Sequence, residues 1–175
     1  MKVSEYIETN EVQKMFDSAE CFYKASELIE SETKRAPTTG LTEGLHNASI
    51  VNHALSIELY LKCLQVITEG RFKTGHSLLE LFDSLNVVIK DRIINQFNDS
   101  HTYGRYSVVI TVRKKQFNLI EILTLAKNAF IEFRYSFENT TVDYIYELEQ
   151  LTNTLRGIIM ESAPDIKVDD TCWIL

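Results

Sequence analysis

Apolar residues recur along most of the chain at helical rather than alternating spacing, and six helices follow from that pattern. Val12, Met15, Phe16, Ala19, Phe22, Tyr23, Ser26 and Ile29 predict helix one over about 10–33. Asn10 and Gln13 read as its capping box, and Pro37 lies just past its end. Helix two, about 42–69, is apolar on two sides. Ile50, Ala54, Ile57, Leu61 and Leu64 form one stripe; Ala48, Val51, Leu55, Leu59 and Val66 form another, about 150° away on a 100° wheel. A helix apolar on two sides packs on two sides, which predicts the centre of a bundle.

Gly70 is expected to end that helix, and Ser77 with Glu80 to open a short third one as a capping box. A fourth runs over about 87–98. Helix five, about 114–137, carries the stripe Leu119, Ile122, Leu123, Ala126, Phe130, Phe133 and Phe137. Helix six, about 141–161, turns Val142, Ile145, Leu148, Leu155 and Ile159 inward, and Pro164 closes it. Between helices four and five, the β-branched run Val108 to Val112 reads equally as an extended piece or a loop. The expected architecture is one all-α, up-and-down bundle of five to six helices over residues 1–163, followed by an acidic tail, 164–175.

Composition narrows the function classes. A chain of 175 residues supports one domain with a substantial core. Two prolines and six glycines favour long helices. The formal charge of −7 argues against coating nucleic acid by bulk electrostatics, though a local basic patch stays open. "MKVSEYIETNE" has no apolar core of signal-peptide length, and no run approaches the roughly 18 apolar residues of a membrane span. Cys21, Cys63 and Cys172 are odd in number and far apart, which fits neither a disulfide framework nor a metal site. A cytoplasmic location without a cofactor is expected.

Candidate chemistry lies in three pieces. "ALSIELYLKCL" places Glu58 and Lys62 one turn apart on helix two, in the favoured order for an ion pair. "GHSLLELF" opens the next short helix. "AFIEFRYSFE" ends a late helix with Arg134, Tyr135 and Glu138. Arg134 sits among aromatic residues, and a guanidinium does not lose its charge on burial. It either pairs with Glu138 or Glu58 to hold the bundle, or binds a phosphate or serves catalysis. His46 and His53 are seven apart, too far for the one-turn ligand pair of a helical zinc site, and His76 reads as a helix-start residue.

In this order and spacing the three pieces resemble the HEPN family (higher eukaryotes and prokaryotes nucleotide-binding), over roughly residues 10–160. The resemblance implies an all-α bundle, usually a homodimer. It also implies a prokaryotic setting linked to RNA, nucleotides, toxin–antitoxin pairs or phage defence. Catalytic members are metal-independent ribonucleases with an Arg and a His four to six residues after it, two such sets meeting at the dimer interface. Here Arg134 matches the Arg, Tyr135 follows it, and Asn139 stands where the His belongs. An Asn does not exchange a proton near neutral pH. The resemblance therefore implies a non-catalytic module binding RNA, a nucleotide or a protein partner. The alternative is a divergent ribonuclease acting through Arg134 and Asn139.

Two further features bear on function. Residues 100–120 hold no acid, while Arg105, Arg113, Lys114 and Lys115 are present with Tyr103, Tyr106 and Phe117 interspersed. Cations beside rings suit single-stranded RNA, although short basic clusters are commonly just solvated. The terminal "CWIL" fits a C-a-a-X box on Cys172. The acidic stretch before it lacks the usual basic support, so packing of Trp173, Ile174 and Leu175 on the bundle or a dimer mate is the plainer expectation.

Overall fold

Six helices and no strand make up the described part of the protein, residues 9–35, 40–103, 118–127 and 145–168 of a computed structural model. They are α1 (Thr9–Arg35), α2 (Gly40–Glu69), α3 (Leu78–Asp83), α4 (Val87–Tyr103), α5 (Leu119–Leu125) and α6 (Ile145–Ser162). The all-α expectation holds.

The centre is a three-helix unit of α1, α2 and α6, whose cross-links give the directions. Cys63 lies beside the Val12 carbonyl, Tyr60 beside Glu20, and Ser49 beside Glu30, so α1 and α2 are antiparallel. Arg156 meets Glu20 and His53 meets Thr152, so α6 runs antiparallel to α1 and alongside α2. On the far side of α6, α4 is antiparallel to it: the Gln150 amide donates to the Phe97 carbonyl (2.6 Å) and Arg92 pairs with Glu161.

The first stripe of α2, Ile50 to Leu64, is buried in this unit with Phe16 and Ala19 of α1 and Leu148, Leu155 and Ile159 of α6. Each of the Ile, Leu and Phe side chains among them contributes about 1.5–3 kcal/mol relative to exposure. Of the second stripe, Val66 is buried; Ala48, Val51, Leu55 and Leu59 are only half-buried. By length and composition alone residues 44–69 could cross a membrane, but most of that stretch is buried within the bundle.

Helix ends refine the expected boundaries. Gly70 stops α2 in the left-handed region, φ 68°, with its N–H on the Val66 carbonyl at 2.8 Å. Ser77 caps α3, but Glu80 does not reach back; its carboxylate takes Lys73 instead (3.0 Å), so the capping box is half-formed. Asn10 lies inside α1 rather than at its cap, and Gln13 bonds elsewhere. Helix α4 continues to Tyr103, past the expected 98. The predicted helix five begins at Leu119, not 114, behind a complete capping box of Asn118 and Glu121. It ends at Leu125, with no Gly or Pro to announce the stop. Leu119, Ile122, Leu123 and Ala126 of its stripe are buried; Phe130, Phe133 and Phe137 lie outside the described residues.

Candidate functional site

Among the described residues, polar groups gather at two places in the bundle. The first is where α2 meets the turn that follows it. Lys62 Nζ donates to Glu58 Oε1 at 2.7 Å, and both side chains are about nine-tenths buried. Lys62 also stands 5.7 Å from the centre of the Phe72 ring. His76, though exposed, turns its Nδ1 onto both Glu58 oxygens, at 3.0 and 3.2 Å. Because a carboxylate only accepts, Nδ1 carries the hydrogen in that contact. One buried carboxylate thus receives a lysine from inside and an imidazole from the solvent side.

Gln65 fixes the same turn. Its amide nitrogen donates to the Leu81 carbonyl (2.9 Å) and to Ser84 Oγ (2.8 Å), while its oxygen accepts the Lys73 N–H (2.7 Å). A buried amide with both ends engaged ties α2, the turn and α3 together without leaving a polar atom unmatched.

The second place is a polar seam between α1, α2 and α6. Glu20, Tyr23, Glu27 and Glu30 fall 3–4–3 apart on α1, a single face at helical spacing. Arg156 engages Glu20 with two nitrogens and Tyr60 donates its hydroxyl to the same carboxylate. Burial, then the bond to Glu20, pushes the Tyr60 hydroxyl above the ordinary tyrosine range. The bonds from Glu20 push the Arg156 guanidinium up. One turn on, the Tyr23 hydroxyl lies 2.9 Å from Glu27 and 2.8 Å from Asn153, and burial raises it too.

At the far end His53 is fully buried. Its Nε2 faces Glu30 at 2.9 Å, and its Nδ1 faces Thr152 at 3.1 Å and Ser26 at 3.4 Å. Ser49 adds a second donor to Glu30 at 2.8 Å. Ser26, His53 and Glu30 have the order of a hydrolytic Ser–His–acid relay. Their setting excludes that chemistry: Ser26 and His53 are both fully buried, and Ser26 donates its hydrogen to the Tyr23 carbonyl. No substrate reaches that hydroxyl, and the relay is a buried tie between helices.

Among the described residues no three His, Cys, Asp or Glu side chains converge as metal ligands. Of the residues singled out in the sequence for their chemistry, Glu58, Lys62, His46, His53 and His76 fall where side chains are described. Arg134, Glu138, Asn139, Arg105, Arg113, Lys114, Lys115 and Tyr106 lie outside the described residues; Tyr103 ends α4 but its side chain lies outside them. Sequence reading missed the His76–Glu58 contact, since His76 looks like an ordinary helix-start residue. It also missed the polar seam, whose signal was present in the 3–4–3 spacing on α1. No protein-family profile, curated protein or solved structure matches the chain.

Proposed function

We propose that the chain is an HEPN-like helical module that binds RNA, a nucleotide or a protein partner, and does not cut RNA. It acts as a cytoplasmic homodimer in a prokaryotic defence or toxin–antitoxin setting. One observation supports the reading above others. "ALSIELYLKCL" and "GHSLLELF", two of the three pieces that carry the resemblance, pack on one carboxylate, Glu58, through Lys62 and His76. The basic, aromatic stretch around Arg105, Arg113, Lys114 and Lys115 supplies the sequence chemistry for a single-stranded RNA ligand.

The test uses a 5′-labelled single-stranded RNA and the purified full chain. Fluorescence anisotropy is expected to show salt-dependent binding that Arg113→Ala with Lys114→Ala and Lys115→Ala weakens. The RNA is expected to stay intact in chelator. Cleavage in chelator that Arg134→Ala abolishes would replace the module with the divergent ribonuclease. Absence of RNA and nucleotide binding would leave the protein-partner form of the proposal, with the partner sought by co-purification.

A further inference from the structure

After α6 the chain turns back onto α1 and docks there. The Gln13 side chain grips the main chain of Lys167 at both ends: its Oε1 accepts the Lys167 N–H at 2.9 Å, and its Nε2 donates to the Lys167 carbonyl at 2.8 Å. A β-strand neighbour would make the same pair of bonds. Asp17, one turn along α1, accepts from the same Nε2 at 2.7 Å. A carboxylate only accepts, so Asp17 fixes which end of the amide donates and therefore the direction in which a main chain is read. On either side of Lys167, Ile166 and Val168 pack against the core, while Lys167 itself points out to solvent. In, out, in is the alternation of an extended peptide.

We propose that this face of α1 is a peptide-binding notch that reads the main chain of an extended segment. It is filled here in cis by residues 166–168 and opens to a partner protein's peptide of the same chemistry. That chemistry is two aliphatic side chains two positions apart, with no requirement on the residue between, because Gln13 touches only backbone there. Among the described residues the cis occupant is held by one amide grip, two half-buried side chains and the Ile166 N–H to Ala163 carbonyl bond at 3.0 Å. Segments with few buried contacts open at low cost, so a competing peptide displaces them by mass action. The proposal does not depend on RNA binding, and its test is separate.

The test takes the full chain carrying Ile166→Asp and Val168→Asp, which empties the notch, and titrates it into a labelled peptide of sequence APDIKVDD. Saturable anisotropy is expected. Replacing the peptide's lysine with alanine should change nothing, while replacing its isoleucine and valine with aspartate should abolish binding. Gln13→Ala in the protein should weaken binding at least tenfold. Lack of saturable binding, or equal binding by the Gln13→Ala protein, would overturn the proposal. A second measurement avoids the emptied variant. In the otherwise native chain, hydrogen exchange at the Lys167 amide should rise at least tenfold on Gln13→Ala with the melting temperature kept; unchanged exchange would also overturn it. If a native dimer becomes monomeric when the segment is disabled, the occupant is a second copy's own segment, and the partner-peptide reading falls.

Discussion

Arg156 of α6 closes on Glu20 of α1 with two nitrogens, Nε 2.8 Å from Oε1 and Nη2 3.1 Å from Oε2. The Glu20 side chain is only 12% exposed, so removing the cation strands a largely buried carboxylate beside Tyr60. Arg156 is itself partly exposed, which places the loss between surface and buried pairs. Arg156→Met is expected to cost about 2 kcal/mol in urea unfolding. Adding Glu20→Gln to that variant should recover part of the loss, and the double-mutant cycle measures the coupling. Strict additivity would show that the fork contributes nothing specific.

Tyr60 makes stability sensitive to alkali. Its hydroxyl titrates above the ordinary value of about 10 because it is buried and donates to Glu20. With the folded value above the unfolded one, its contribution is complete below pH ~10 and declines as pH rises further, because only the unfolded chain releases the proton. Stability followed by circular dichroism should fall between about pH 10 and 12. Tyr60→Phe should flatten that fall at a cost near 1 kcal/mol at neutral pH from the lost hydrogen bond. Tyr23, raised in the same direction, keeps some slope in the variant.

His53, on α2, holds Glu30 of α1 and Thr152 of α6 at the far end of the seam. His53→Leu keeps apolar bulk but takes the imidazole partner from the Glu30 carboxylate. The expected cost is about 3 kcal/mol, read as a lowered melting temperature. Ser26→Ala should cost under about 1 kcal/mol, because the hydroxyl bonds mainly to the carbonyl three residues back. A larger loss for Ser26→Ala than for His53→Leu would contradict the role of His53 as the tie.

Cys63 is fully buried, and burial pushes its thiol up to about 12. Alkylation needs the thiolate and access to it. With iodoacetamide at pH 8 and peptide mapping, exposed Cys21 should label in the native protein, and Cys63 only as urea unfolds it. Early labelling of Cys63 would mean that α1 and α2 separate locally well below the global transition.

Short-range spacing made much of this protein legible before any coordinates. The helical class follows from apolar periodicity. The two-sided pattern of α2 anticipated its central place, and one stripe of it is buried as expected while most of the other is only half-covered. Glu58 and Lys62 are four residues apart on one helix, so their ion pair needs only local geometry. Gly70 stops α2 for a reason contained in its missing side chain. Where local signals misled, a competing partner had won: Glu80 turned to Lys73 rather than to its cap, and Gln13 to Lys167.

Only the tertiary structure decided the long-range polar contacts. Glu20 and Arg156 are 136 positions apart, His53 and Thr152 are 99, and Gln13 and Lys167 are 154. No periodicity relates such residues. They meet because hydrophobic burial sets how α1, α2 and α6 lie against one another, and polar groups trapped in that packing must then find partners. Apolar spacing along a helix is a one-dimensional signal and survives in the sequence. The choice of partner across a bundle is a three-dimensional one, made when the helices dock.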